Sequence, residues 1–201
     1  IFEKPMIKIK VNLNMELVKN LRQSNVIKYS LIILFSTIIL AISSKFKIPF
    51  YPVPMTMQTF VVLLIGVCFG WRLGITIIFF YLLEGLFGLP VFSGTPEKGI
   101  GIVYFTGPTM GYLIGFIFAS MLSGSFKYNK NIFLNFTKLV LSVSVIYLLG
   151  VLWLGTILGW DKSIFDLGVK PFLLAELFKV GLLSLIITLF INKINTLKEW
   201  L

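Results

Sequence analysis

Long runs of apolar residues constrain the fold of this sequence more than any other feature. Four of them are almost free of charge, and they cover 29–42, 73–83, 139–158 and 180–191. About 20 apolar residues, each rising ~1.5 Å along a helix, cross the ~30 Å hydrocarbon core of a bilayer. Of all residues 57% are hydrophobic and only 13% are charged, whereas about a quarter of an ordinary soluble domain is charged. The sequence therefore predicts an all-α integral membrane protein.

The spacing of apolar segments and loops predicts six transmembrane helices. A tight turn at Gly70, Trp71 and Arg72 separates the second span from the third. The connection 45–55 is rich in proline, and the connection 88–107 is rich in glycine and too apolar for an ordinary solvated loop. Irregular backbone at membrane depth is tolerated where protein buries it or where it borders a wet cavity, so the two connections indicate a binding cavity. The predicted spans are 27–44, 56–70, 72–88, 107–123, 138–158 and 171–191.

The distribution of charge predicts the orientation of these spans. Twelve of the 18 Lys and Arg residues lie on the side that holds both termini. The positive-inside rule assigns that side to the cytoplasm, and the two unusual connections to the outside. The N-terminal segment has no cleavage-type small residues after an apolar run, so we interpret it as cytoplasmic and not as a signal peptide. The predicted organisation is a cytoplasmic segment at 1–26, a six-helix membrane domain at 27–191 and a cytoplasmic tail at 192–201.

Residue types that the sequence lacks exclude several kinds of chemistry. It contains no histidine, and Cys68 is its single cysteine, so a metal site built from these ligands is excluded. It has no Gly-x-x-x-x-Gly-Lys-Ser/Thr loop, and therefore no ATPase site of that type. The net charge of +10 is concentrated at the ends and in one loop, which suits contact with membrane lipid, and no nucleic-acid-binding module accompanies it. We expect no nucleic acid, metal or cofactor.

Two charged residues, Glu176 and Lys179, lie inside the last predicted span. Three positions apart, they share one face of a helix, and Lys179 lies about 12 Å along the helix from Pro171. A charge near the bilayer centre costs at least ~2.5–3.5 kcal/mol, and such residues usually serve a pathway or a site. One interpretation is a self-satisfied pair that only fixes helix packing. The other is a binding site in which Lys179 meets a substrate anion and Glu176 accepts a substrate N–H or orients the lysine.

Further candidates for this site lie near the two unusual connections. Glu84, late in the third span, either lines the same cavity or lies close enough to the interface to be wet. Gln58, which follows the proline-rich connection, either binds an amide-like ligand or caps loop backbone. Several aromatic residues and one serine could wall the ligand, although most aromatic residues in such a chain serve packing. These wall candidates are Phe92, Ser93, Tyr104, Tyr112 and Trp153.

Five motifs occur in order and with natural spacing, 52–59 (PVPMTMQT), 72–74 (RLG), 81–94 (YLLEGLFGLPVFSG), 107–116 (GPTMGYLIGF) and 172–179 (FLLAELFK). Together they resemble the BioY family, the biotin-binding S-components of energy-coupling factor (ECF) vitamin transporters. The resemblance implies a six-helix membrane fold with a pocket roofed by extracytoplasmic loops, in which biotin binds by its carboxylate and its ureido ring. It also implies residence in the bacterial inner membrane and two kinds of partner, a transmembrane coupling subunit and two ATPase subunits.

The resemblance also carries over to particular residues. Lys179 matches the lysine that contacts the biotin carboxylate, and Glu176 stands where the family usually has aspartate. Some members have an arginine where this chain has Gly107, so a second cation for the carboxylate is not evident. Thr37 and Ala41 form a weak version of the small-residue face that docks the coupling subunit.

Two alternatives to biotin capture follow from the same residues. One is an S-component for another vitamin. The other is a membrane enzyme that uses Glu84 and Glu176 as an acid pair on a lipid-linked substrate, although the lack of histidine and of clustered acids weighs against it.

Overall fold

The structure is a computed structural model that describes the backbone of residues 4–48, 52–97 and 99–201 and the side chains of 25–47, 52–97 and 99–201. The side chains of most of the predicted N-terminal segment, part of the proline-rich connection and Lys98 lie outside the described residues. The chain divides into two compact units, Ile1–Phe35 and Ser36–Leu201. The candidate site lies wholly within the second unit.

Helices dominate the described part of the chain. Short strands, β1 (Lys47–Ile48) and β2 (Met55–Thr56), pair antiparallel on either side of the proline-rich connection, with Lys47 opposite Thr56. A 3-10 turn covers Lys170–Phe172. The helices are α1 (Lys4–Lys45), α2 (Gln58–Leu86), α3 (Ile102–Phe105), α4 (Met110–Ser125), α5 (Ile132–Leu158), α6 (Ile164–Gly168) and α7 (Leu173–Trp200).

The helix α2 folds back on itself at Gly70. Gly70 has φ 76° and ψ 173°, which breaks the helical backbone into halves at 58–69 and 71–86. The Gln58 side chain donates a hydrogen bond of 2.6 Å to the Tyr81 hydroxyl, although 23 residues of straight helix would separate them by about 35 Å. The two halves are therefore antiparallel neighbours. The predicted turn at residues 70–72 lies where the sequence indicated. Counting the halves of α2 separately and leaving out the short α3 and α6, the described part of the chain has six main helices.

Several of these helices have the length and composition of membrane spans. Within the described residues four segments qualify, Asn25–Lys45, Gln58–Leu86, Ile132–Leu158 and Ile164–Trp200, and Met110–Ser125 is a shorter apolar helix. Large apolar side chains such as Leu148, Leu174 and Leu189 are exposed on the helix surfaces. A surface of this kind suits lipid. At the C-terminal end, α7 changes direction at Phe190 and continues to Trp200, beyond the span end predicted at 191.

Small residues let three helices pack backbone against backbone. A Cβ atom added to Gly66 would lie 2.4 Å from the Ser120 carbonyl oxygen, between α2 and α4. A Cβ atom added to Gly115 would lie 2.7 Å from Ile146 Cα, between α4 and α5. Close approach of this kind is typical of membrane helix pairs. It brings residues of α4 and α5 together at the end of the bundle where α2 begins.

The end of α1 is tied to the glycine-rich connection. The Ser44 hydroxyl donates to the Val91 carbonyl at 2.8 Å. The Lys45 ammonium donates to the carbonyls of Pro90 at 2.7 Å and Phe92 at 3.0 Å. These bonds give the buried backbone of an irregular segment the partners that it would otherwise lack. They also fix the position of the residue that follows, Ser93.

Candidate substrate-binding cavity

A cavity lies where the irregular connections meet the helix ends. Its volume is about 60 Å³ and it is partly open to solvent, so in this structure it is narrower than the usual small-molecule site. The wall is mainly apolar and aromatic, and it is contributed by the connections before α2 and before α4 and by α2, α4, α5 and α7. The polar and charged lining residues are Thr56, Gln58, Thr59, Ser93, Tyr104, Thr109, Tyr112, Tyr147, Glu176 and Lys179.

Glu176 and Lys179 form a buried ion pair on one wall of the cavity. They are only 5% and 6% exposed, and the Lys179 ammonium lies 3.3 Å from Glu176 Oε2. The first two turns of α7 position both side chains, because residues three apart lie on the same face of a helix. The prediction that they lie together inside the bundle is therefore correct in geometry, and both border an open cavity.

Two residues at the start of α2 and one on α5 complete the hydrogen bonding of this pair. Lys179 donates to the Thr56 carbonyl at 2.7 Å and to the Thr59 hydroxyl at 3.0 Å. Thr59 in turn donates to Glu176 Oε1 at 2.6 Å, and the Tyr147 hydroxyl donates to Oε2 at 2.7 Å. Because a buried ion pair needs such partners to offset its desolvation, this network holds both charges in defined positions.

Gln58 is held by its own chain of hydrogen bonds. Its side-chain N–H donates to the Tyr81 hydroxyl, which donates to the Val91 carbonyl at 2.9 Å. Its side-chain oxygen accepts from the Thr56 hydroxyl at 3.1 Å. The amide is therefore fixed in orientation and lines the cavity. The Gln58 side chain bonds two side-chain hydroxyls and not loop backbone, and its contact with a ligand stays a prediction.

Ser93 presents a polar atom without a partner to the cavity. The residue is 3% exposed, and its hydroxyl has no hydrogen-bond partner among the described residues. Its backbone carbonyl accepts a hydrogen bond of 2.8 Å from the Tyr104 hydroxyl, and burial raises the pKa of that tyrosine. A buried hydroxyl normally has a partner, so Ser93 is suited to bind a polar group of a ligand.

The other predicted site residues lie elsewhere. Phe92 packs on Tyr81 and Tyr104, with ring centroids 5.3 and 4.8 Å away, and supports the wall from behind. Trp153 donates its indole N–H to the Gly107 carbonyl at 2.9 Å and lines a separate surface pocket. Glu84 is half-buried on the second half of α2 and does not line the cavity.

The predicted docking residues are not open surface in this chain. Thr37 is 1% exposed, and Ala41 is half-buried. Both belong to the part of α1 whose small and polar side chains pack inside the second unit. A partner would meet mainly the larger apolar residues of α1 that are exposed, such as Ile38, Ile39 and Ile42.

Sequence reasoning missed three residues that contact the ion pair. Thr56 and Thr59 flank Gln58 within the motif 52–59, and a threonine so close to a buried amide could have been recognised as a further polar wall residue. Tyr147 lies in the middle of the apolar run 139–158. A tyrosine hydroxyl at that depth needs a buried partner, which is the signal that could have identified it.

Comparison with known proteins assigns the family. A model of the BioY family matches residues 14–196. The chain belongs to the BioY family. This confirms the resemblance carried by the five sequence motifs, three of which (52–59, 107–116 and 172–179) supply much of the cavity wall in this BioY chain.

Individual relatives agree with this assignment. The probable biotin transporter BioY of Pyrococcus horikoshii is 34% identical over 152 residues, which are 76% of this chain and 88% of that protein. The biotin transporter BioY of Thermotoga maritima is 33% identical over 151 residues, 75% of this chain and 88% of that protein. Both are named as transporters, in agreement with the prediction of a transport protein and not an enzyme.

A solved structure shares the fold. The crystal structure at 2.1 Å of the S-component for biotin from an ECF-type ABC transporter matches with a TM-score of 0.69. The match covers 84% of this chain and 93% of that chain at 23% sequence identity. The helical architecture of this BioY chain is therefore that of an S-component.

Proposed function

We propose that this BioY chain captures biotin for uptake, as the substrate-binding subunit of an ECF-type vitamin transporter. The observation that carries the proposal is the buried Glu176–Lys179 pair, which borders an otherwise mainly apolar cavity in a protein of this family. Biotin combines a carboxylate, a cyclic urea and an apolar ring and chain. The cavity offers an ammonium group, fixed amide and hydroxyl groups and aromatic walls.

Each part of the ligand has a partner in this proposal. Lys179 contacts the biotin carboxylate, because an ammonium in a site of low dielectric attracts an anion far more strongly than it does in water. Gln58 and the unpartnered hydroxyl of Ser93 hydrogen-bond the ureido ring. Tyr104, Tyr112 and other aromatic residues of the wall contact the apolar ring and chain. Polar groups that are buried in this way select their ligand, since an analogue without the matching group leaves them unpaired.

The same proposal covers topology and partners. Six helices cross the cell membrane, both termini lie in the cytoplasm, and the connections 45–55 and 88–107 roof the cavity on the outer side. A separate transmembrane coupling subunit and two ATPase subunits supply the energy, since this sequence contains no P-loop of its own. The coupling subunit contacts α1 around Thr37 and Ala41, where exposed apolar residues surround them.

Equilibrium binding of labelled biotin to the purified chain in detergent tests the proposal. We expect tight binding by the unaltered chain and at least about thirtyfold weaker binding by Lys179→Ala, because truncating one partner of a buried, hydrogen-bonded charge pair between protein and ligand costs ~2–5 kcal/mol of binding free energy. Lys162→Ala is the matched control, since Lys162 lies on an exposed loop outside the cavity and its loss should leave the affinity within about twofold.

The ligand provides a second control that does not depend on the folding of a variant. Biotin amidated at its carboxyl group should bind the unaltered chain more weakly than biotin. Equal losses for Lys179→Ala and Lys162→Ala, or no binding of biotin at all, would contradict the proposal. Competition by another vitamin but not by biotin would favour an S-component of different specificity. The enzyme alternative is weakened because Glu84 does not line the cavity that contains Glu176. Turnover of a lipid-linked substrate by the unaltered chain, abolished in Glu84→Gln, would support that alternative.

A further inference from the structure

The charges that face the cavity sum to zero before any ligand enters. Lys179 is the only basic residue and Glu176 the only acidic residue among the described residues that line it. Each of the three ammonium hydrogens has an acceptor, namely the Thr56 carbonyl, the Thr59 hydroxyl and Glu176. The lysine is therefore already neutralised by an internal carboxylate.

A carboxylate ligand would upset this balance. Bound to Lys179 in place of the Thr56 carbonyl or the Thr59 hydroxyl, it would add a second negative charge next to the cation that lines the cavity. Two oxygen atoms that both accept hydrogen bonds from one ammonium nitrogen lie about 4.5–5 Å apart. The ligand carboxylate and Glu176 would thus be within the distance at which like charges strongly disfavour ionisation of both. A shared proton resolves the conflict.

We propose that biotin binds together with one proton, which the complex holds on the carboxylate pair formed by the ligand and Glu176. This inference rests on the proposed function, since it takes the carboxylate of biotin to bind at Lys179. The proton comes from solvent and returns there when the ligand leaves. It belongs to the pair as a whole, because two carboxylates so close titrate as one coupled system.

The other groups around Glu176 and Lys179 do not offer a neutralising charge inside the cavity. Lys45 and Lys47 line an adjoining pocket that Thr56 and Lys179 also border, but both side chains are exposed, so water and salt screen their charges. From α2 the facing residues are Thr59 and Gln58, which are uncharged, and from β2 the contact is the Thr56 backbone carbonyl. From α5 the facing residue is Tyr147, whose hydroxyl already donates to Glu176. Tyr104 and Tyr112 also line the cavity, and their hydroxyls donate to the carbonyls of Ser93 and Gly168.

The direction of the pH dependence follows from linkage. On this proposal the complex holds a proton that the separated partners do not. The affinity is therefore highest at low pH and falls by up to about tenfold per pH unit, until the carboxylate pair in the complex loses its proton. Above that pH the affinity becomes constant.

Isothermal titration calorimetry measures the coupled proton directly. Biotin is titrated into the detergent-solubilised chain at about pH 6 in two buffers that differ in ionisation enthalpy, and the difference in observed heat gives the number of protons taken up. We expect close to one proton per biotin, and an affinity at about pH 6 that is tenfold or more above that at about pH 8. Amidated biotin, which lacks the second carboxylate, should take up close to none.

Glu176→Gln isolates the residue responsible. The amide keeps the size of the side chain but removes its charge, so Lys179 alone should neutralise the ligand. We expect biotin binding by this variant to take up no proton and to have the same affinity at about pH 6 and pH 8. If this variant does not fold, the number of protons taken up by the unaltered chain with biotin and with amidated biotin still tests the proposal.

Biotin that binds tightly with fewer than about 0.2 protons at pH 6, and with equal affinity at both pH values, would overturn this proposal while leaving the proposed function intact. Equal proton uptake with biotin and with amidated biotin would overturn it as well. If biotin did not bind at any pH, both proposals would fail.

Discussion

Replacing Gly70 by alanine adds one carbon atom at the turn in α2 and so tests the backbone conformation of that turn. A Cβ atom at this position would meet nothing within 4 Å, so the substitution creates no clash. Its whole effect lies in the backbone, because φ 76° with ψ 173° belongs to a region that is essentially restricted to glycine. Holding an alanine there costs ~1–3 kcal/mol, which is roughly a 5- to 150-fold change in the folding equilibrium constant.

Gly181→Ala is the matched control for this substitution. An added Cβ at Gly181 also meets nothing within 4 Å, but Gly181 lies inside the regular part of α7. Alanine is favoured over glycine there by up to ~1 kcal/mol. The two variants add the same methyl group to an open space, and they should shift stability in opposite directions.

Thermal unfolding of the purified variants in the same detergent measures the difference. For a chain of this size, 1 kcal/mol corresponds to about 2–4 °C in Tm, so Gly70→Ala should unfold about 2–12 °C lower. Gly181→Ala should unfold at the same temperature or a few degrees higher. Biotin affinity should fall in Gly70→Ala alone, because the turn brings Gln58 to Tyr81. An unchanged Tm and affinity for Gly70→Ala would refute this account of the turn.

Two further substitutions separate the cavity from the rest of the fold. In Gly85→Ala the new Cβ would lie 2.1 Å from the Phe92 ring, which Tyr81 and Tyr104 hold in place, so we expect a loss of ~1–3 kcal/mol in thermal unfolding together with weaker biotin binding. In Asn131→Ala, α5 loses a cap whose side chain accepts from the backbone N–H groups of residues 133 and 134; stability should fall by about 1 kcal/mol, while biotin affinity in the same titration stays constant.

Much of the architecture could be predicted because a bilayer leaves few alternatives. Apolar runs fix the helices, and glycine and proline mark their breaks, so the turn at Gly70 was identified correctly. Helix ends were harder to predict. The last helix continues past 191 to Trp200 because lysine and asparagine are acceptable in a helix outside the hydrocarbon, where hydropathy carries no information.

The site was only partly predictable for a different reason. Charged residues such as Glu176 and Lys179 stand out in an apolar span, because their burial has to be compensated. Tyrosine and threonine are common in membrane helices. Tyr147 and Thr59 can be recognised as site residues only when the tertiary structure shows their contacts with Glu176 and Lys179. Phe92 and Trp153 were predicted to line the cavity and do not. An aromatic residue near an irregular connection can pack behind a cavity wall, as Phe92 does, or bond backbone elsewhere, as Trp153 does.

The hydrogen bonds from Ser44 and Lys45 to residues 90–92 join the end of α1 to the glycine-rich connection, so the two should move together. Val91 is also the acceptor for Tyr81, which holds Gln58, and Ser93 follows two residues later. A tilt of the end of α1 must therefore move two groups that line the cavity. In the proposed transporter, a coupling subunit that contacts the exposed face of α1 would change the positions of these groups without contacting the cavity.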